Sequence, residues 1–168
     1  MVGRRRYYTR RGIKPHLQDP YLLRYSYKEP TVCPECNLIF HDGRWYWDSS
    51  KLNELKKMTV HYQKCPACRK IEDRYPMGIV HLKGEFLKNH IEDITHLIKN
   101  EEKRGLEKNP LERIIKITNK SDEEIIVETT TESLSLRIGR VVKRAFSGEI
   151  EYKFSDGVKL IRIEWFRD

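Results

Sequence analysis

The four cysteines of the chain lie in two C-x-x-C pairs, Cys33-Pro34-Glu35-Cys36 and Cys65-Pro66-Ala67-Cys68, with 28 residues between the pairs. The two thiols of such a pair can reach one ion, and two pairs supply the four ligands of a closed, tetrahedral structural site. A proline follows the first cysteine of each pair and restricts the backbone of the turn. The pattern predicts a Zn²⁺ site whose ligands are Cys33, Cys36, Cys65 and Cys68.

Other uses of the four cysteines are less consistent with their arrangement. Two disulfides would be unusual in a chain whose start does not resemble a secretory signal, because cytosolic thiols stay reduced. A redox C-x-x-C motif would need one pair after a strand, and two matched pairs have no place in it. An iron centre of the rubredoxin type uses the same four ligands and is an alternative to zinc. His41 follows Cys36 closely and is expected beside the site or at the surface.

Basic residues are concentrated near the start of the chain. The chain has 33 lysines and arginines against 25 acidic residues, a net charge of +8. Residues 1–30 contribute +6, residues 31–70 contribute +3 and residues 71–168 contribute −1. This asymmetry predicts a polyanionic partner, with nucleic acid favoured over a membrane surface.

The first 30 residues also contain five of the nine tyrosines and few strongly apolar residues, which predicts an extended basic arm. Arginine pairs with phosphates and tyrosine stacks on bases, so the arm is expected to bind RNA. A solubilising tail is the alternative interpretation. The candidate RNA contacts in the arm are Arg4, Arg5, Arg6, Tyr7, Tyr8, Arg10, Arg11, Lys14 and Arg24.

Further RNA contacts are expected in two later segments. The aromatic run around Trp45 can stack on bases, although at least one of its tryptophans is expected to pack in the thin core of the ribbon. Arg69 and Lys70 follow the second cysteine pair, where they can offset the negative charge of four thiolates. A basic stripe on the second helix of the C-terminal region can contact phosphates, with a solvated face as the alternative. The candidates are Arg44, Trp45, Trp47, Arg69, Lys70, Arg137, Arg140 and Arg144.

The periodicity divides the chain into the arm (1–30), a zinc ribbon (31–76) and a C-terminal domain (77–168). In the last of these it predicts strands at 78–84, 111–118, 125–130, 149–154 and 158–165. It also predicts a helix at 86–104 that ends at Gly105 and a helix that starts near Thr131 or Ser133. The order predicts an α+β fold, with the zinc ribbon followed by a split-βαβ (ferredoxin-like) antiparallel sheet carrying two helices.

The sequence contains no phosphate-binding loop, no zinc-protease motif and no nucleophile elbow. These absences favour a binding protein over an enzyme. No apolar run is long enough to cross a membrane, so a cytoplasmic protein without a membrane partner is expected.

Three segments resemble a known family: Tyr75–Gly84 after the ribbon, Glu128–Thr131, and Ser135–Arg140. Together with the ribbon they are similar to the zinc-ribbon and adjoining domain of the adaptor family for nuclear export of the large ribosomal subunit, and to short prokaryotic proteins. The resemblance covers residues 31–168 and implies association with ribosomal RNA and ribosomal proteins of the large subunit. The longer members have domains missing here, so a monomeric hibernation or assembly factor is expected rather than an export adaptor. A DNA-binding or protein-bridging regulator is the alternative.

Overall fold

The computed structural model describes residues 19–22 and 27–168. Over these residues the protein has an α+β fold with four α-helices and two mixed β-sheets. The predicted α+β class is confirmed. The arm candidates from Arg4 to Lys14, and Arg24, lie outside the described residues.

The cysteine-containing half of the structure is built on a small four-stranded sheet. Its strands are β1 (Thr31–Val32), β2 (Ile39–His41), β3 (Arg44–Tyr46) and β4 (His61–Tyr62), in the order β3-β2-β1-β4. Two short helices follow the sheet strands, α1 (Ser49–Leu55) and α2 (Pro66–Asp73). The cap of α1 is Asp48, whose carboxylate accepts the Lys51 N–H at 2.9 Å.

The second half contains a five-stranded sheet in the order β6-β7-β5-β9-β8. Its strands are β5 (Gly78–Lys83), β6 (Ile114–Ser121), β7 (Glu124–Thr129), β8 (Glu149–Phe154) and β9 (Ile161–Phe166). A 3-10 turn at Glu85–Asn89 precedes helix α3 (Ile91–Lys108), and helix α4 is Glu132–Phe146. Thr131 caps α4 by accepting the Leu134 N–H at 3.3 Å, in agreement with the predicted start.

The prediction of an antiparallel sheet is wrong at one pair of strands, because β5 and β9 run parallel. Strand β8 lies at the edge and the chain returns as β9, which occupies the place beside β5. The physical reason is the apolar content of the two strands. Ile161, Ile163 and Trp165 alternate along β9 and are almost fully buried, whereas Tyr152 is the one buried residue of β8. The more apolar strand takes the central position.

Helix α3 continues three residues beyond Gly105, which was predicted to end it. A Cβ at this position would lie 2.4 Å from Arg137 Nη2 and 3.0 Å from Glu112 Oε2. The glycine therefore allows the side chains of a neighbouring ion pair to approach the helix. This packing outweighs the cost of about 1 kcal/mol for glycine inside a helix.

Helices α3 and α4 pack on the same face of the five-stranded sheet. Ile94 and Ile98 from α3 and Ile138 from α4 share one buried cluster with Val80 and Ile163 of the strands. The helices of the described residues include none with the length and apolar character of a membrane span.

Candidate metal centre

The four cysteines lie on two different kinds of local structure. Cys33 follows β1, and its carbonyl accepts the N–H of Asn37 at 2.9 Å, so the chain turns tightly through Cys36. Asn37 has a φ of 63°, a left-handed conformation that asparagine tolerates well. Cys65 is the cap of α2 and Cys68 lies in the first turn of that helix. A tight turn and a helix N-terminus therefore supply two of the four thiols each.

The four sulfurs have the spacing of a tetrahedral site. They all lie within 4.8 Å of one another, and the Cys36 and Cys65 sulfurs are 3.7 Å apart. A tetrahedral zinc with bonds of about 2.3 Å to sulfur requires neighbouring sulfurs about 3.8 Å apart. All four are free cysteines, two buried and two partly exposed. The predicted grouping of the four cysteines is confirmed, and this set of sulfur donors suits a thiophilic ion.

The surroundings of the cysteines favour the loss of a proton at one thiol and oppose it at two others. Hydrogen bonds with Cys36 and Cys65 lower the pKa of Cys33, whereas hydrogen bonds with Cys33 and Cys36 raise the pKa of Cys65. Burial, followed by the charges of Cys36 and Cys33, raises the pKa of Cys68 to about 11. The arrangement therefore stabilises one thiolate on its own, and a divalent cation would stabilise all four.

Arg113 contacts the site and is the residue that the sequence analysis missed. Its guanidinium donates from Nη1 to the Cys68 sulfur at 3.4 Å and from Nη2 to the Cys36 sulfur at 3.3 Å. Arg113 directly precedes β6, in the second half of the structure, and is 77 residues from Cys36 in sequence. Nothing in its immediate neighbours indicates a metal site.

The two basic residues that were predicted to offset the thiolate charge have other partners. Arg69 Nη2 donates to the Tyr21 carbonyl and to the Tyr27 hydroxyl, both at 2.8 Å. Lys70 is only 2% exposed, and its ammonium bonds to the Asp19 carboxylate and, at 2.9 Å, to the Thr130 carbonyl. The structure thus gives Lys70 an internal role in place of the predicted RNA contact.

Part of the predicted arm packs against the ribbon. Tyr27 is 8% exposed, and its ring contacts Phe40 and Trp45 at centroid distances of 5.0 and 4.9 Å. Trp45 is buried in the same aromatic cluster, so it is the tryptophan that packs in the core and does not face an RNA ligand. The Tyr21 hydroxyl donates to Asp73 at 2.7 Å. Burial, together with this hydrogen bond, raises the pKa of Tyr21 to about 12.

Of the other residues predicted to contact RNA, four lie at the surface and one forms an ion pair. Arg44, Trp47, Arg140 and Arg144 are exposed. Arg137 is half-buried and its Nη2 lies 2.6 Å from Glu112 Oε2. The exposed Trp47 lines a shallow groove together with Asn37, Asp48, Ser49 and Leu52.

His41 does not contribute to the cysteine site. It forms a second group with Glu29 and Asp42, on the surface of the β2–β3 turn. The Glu29 carboxylate accepts the backbone N–H groups of Asp42 and Gly43 at 3.1 and 3.0 Å. This group therefore closes a turn.

Comparisons of the chain with family models, with curated proteins and with solved structures find no match.

Proposed function

We propose that this protein is a zinc-organised RNA-binding protein with no catalytic activity, and that its partner is ribosomal RNA of the large subunit. The observation that carries the proposal is the exposed indole of Trp47, 53% accessible, beside a knuckle held by four thiols. An exposed tryptophan on a polar surface is a stacking platform for an unpaired base.

The groove at Trp47 has the polar groups that a base requires. Asn37, which follows Cys36 in the knuckle, and Ser49, at the start of α1, line it with the indole. The Asn37 amide can both donate and accept hydrogen bonds at the edge of a base. Because the knuckle is part of the metal site, ion binding would orient the groove, and it would give the ion a structural role.

The charge distribution supports a phosphate-rich partner. The first 70 residues carry a net charge of +9, whereas the rest of the chain carries −1. On the ribbon Arg44 is exposed, and Arg140 and Arg144 are exposed on α4. On the five-stranded sheet the charge of Lys153 is instead offset by Glu151 and Glu164, each at 3.3 Å from its ammonium.

In this proposal the protein acts as a monomer in the cytoplasm, as a hibernation or assembly factor that also contacts ribosomal proteins. Sedimentation of the native protein from growing and resting cells tests this role. Co-migration with large subunits or whole ribosomes is the expected result. Migration as a free 20.2 kDa protein under both conditions would contradict the ribosomal assignment.

Binding measurements test the groove separately. Trp47→Ala should weaken binding to single-stranded RNA by about 5-fold to 100-fold, the loss of one stacked base. Phe166→Ala, which removes a 45% exposed aromatic from the five-stranded sheet, is the matched control and should bind like the wild type. Equal affinity of wild type and Trp47→Ala would refute the groove, and a preference for duplex DNA over structured RNA would favour a DNA-binding regulator. The absorption spectrum identifies the metal, since a zinc protein is colourless and ferric iron bound by four thiolates is red.

A further inference from the structure

Arg113 joins the two halves of the structure at the cysteine site. Its guanidinium fork meets two sulfurs at once, those of Cys36 and Cys68, and each of these cysteines is the second residue of its pair. A guanidinium presents its N–H groups in one plane, so two parallel bonds define both its position and its orientation.

The other two sulfurs accept backbone N–H groups from the ribbon itself. Cys33 accepts from the Cys65 N–H at 3.3 Å, and Cys65 accepts from the Cys68 N–H at 3.4 Å. Every sulfur of the site therefore has an N–H donor within hydrogen-bond distance. The ribbon provides the donors to Cys33 and Cys65, and Arg113 provides a donor to each of Cys36 and Cys68.

The C-terminal half holds Arg113 in this orientation. Arg113 Nε donates to the Pro110 carbonyl at 3.0 Å, and the backbone N–H donates to the Thr130 hydroxyl at 2.8 Å. The Thr130 N–H donates back to the Arg113 carbonyl at 2.9 Å. Thr130 is fully buried, and its own carbonyl accepts the Lys70 ammonium from α2. Thr130, which directly follows β7, thus connects Lys70 of α2 to Arg113, and Arg113 in turn contacts the sulfurs.

We propose that Arg113 completes the metal centre from the C-terminal half, so that metal binding and the docking of that half on the ribbon stabilise each other. Four thiolates around a divalent ion carry two negative charges in excess, and the guanidinium lies against two of them. Charged N–H donors stabilise the negative charge of a thiolate that is bound to a metal. Linkage requires the coupling to be reciprocal: if Arg113 strengthens metal binding, the metal strengthens the Arg113 contact by the same factor.

The inference rests on the proposed metal site, and full-length variants test it with two readouts. Competition with a chelator should show that Arg113→Gln binds zinc about 10-fold to 100-fold more weakly than the wild type. Arg113→Lys keeps the charge without the planar fork and should recover part of the loss. The control is Arg167→Gln, which removes a half-buried arginine that donates to the Phe146 carbonyl at 2.5 Å and should leave zinc affinity unchanged.

Hydrogen exchange at the Thr130 amide measures the reverse direction. In the wild type, removing the metal should accelerate exchange at this amide, because its acceptor is the Arg113 carbonyl. In Arg113→Gln the response to metal should be lost. The inference would be overturned if Arg113→Gln and Arg113→Lys bound zinc as tightly as the wild type. It would also be overturned if the exchange rate of the Thr130 amide were the same with and without metal. A wild-type protein that retains no metal would instead refute the metal site itself. RNA binding is a separate measurement, so its outcome does not depend on zinc affinity or on exchange at Thr130.

Discussion

The buried pair of Asp19 and Lys70 offers the sharpest stability test, through the variant Asp19→Asn. The side chains of Lys70 and Asp19 are 3% and 8% exposed, and the Lys70 ammonium also bonds to the Thr130 carbonyl. Removing the carboxylate charge leaves a buried ammonium without its counter-ion. Breaking a buried pair in this way costs about 3–5 kcal/mol.

The structure also sets an upper limit to this cost, because the lysine can release its proton instead. Burial lowers the pKa of Lys70 below the ordinary 10.5, and the hydrogen bond with Asp19 opposes that effect. Deprotonating a lysine costs about 1.4 kcal/mol per pH unit below its ordinary pKa, which is about 5 kcal/mol at pH 7. At pH 9.5 the limit falls to about 1.4 kcal/mol.

Without Asp19 the pKa of Lys70 falls further, so the unfolded protein binds a proton that the folded protein has released. The stability of the variant should therefore rise with pH, relative to the wild type, until the unfolded lysine titrates near 10.5. The free energy of unfolding is measured by urea denaturation of the metal-loaded protein at pH 7 and pH 9.5. Asp156→Asn, at an exposed position in the β8–β9 loop, is the control.

A loss of less than about 1 kcal/mol at pH 7 would show that Lys70 is solvated and would refute the argument, since exposed pairs contribute that little. A loss that is equally large at pH 9.5 would show that the charge of Lys70 is not its cause. The double variant Asp19→Leu/Lys70→Met removes both charges together, and it should recover most of the stability that Asp19→Asn loses.

Two further predictions concern packing and the thiols. Gly78→Ala should cost about 1–3 kcal/mol in unfolding free energy, because its Cβ would lie 2.0 Å from the buried Ser135 hydroxyl oxygen. Gly157→Ala, which has nothing within 4 Å, is the control, and equal losses in thermal unfolding would contradict the prediction. Acidification should weaken metal binding by more than about tenfold per pH unit, because raised thiol pKa values such as that of Cys68 let protons compete for several ligands. Chelator competition at several pH values measures this slope, and a flat profile would exclude the thiolates as ligands.

Short-range features of the fold were predictable from the sequence. The spacing within each C-x-x-C pair determines which sulfurs can share one ion, and the four do lie together. The start of α4 at Thr131 and the boundaries of β5 follow from a capping residue and from alternation, which act over a few residues. The aromatic run near Trp45 was correctly expected to bury a tryptophan, but the alternation there did not decide which one.

The predictions failed where distant segments compete for one place. Gly105 looks like a helix stop from its neighbours alone, and it lies within α3 because Arg137 and Glu112 approach it there. Strand β9 takes the position beside β5 in place of β8 because more of its apolar side chains are buried there. Local periodicity describes each strand separately, so it does not predict which of the two is more central. Lys70 looked like a surface cation because Asp19 and Thr130 are 51 and 60 residues away in sequence.

The sequence by itself therefore determined the grouping of the four cysteines, most of the helices and strands after residue 77 and the uneven charge of this protein. The tertiary structure alone decided which cations face the sulfurs, because Arg113 reaches Cys36 and Cys68 only once β6 and β7 have paired and Thr130 has bound its backbone. Ligand spacing is a local property of the backbone. The surroundings of the ligands depend on long-range packing, which no short pattern encodes.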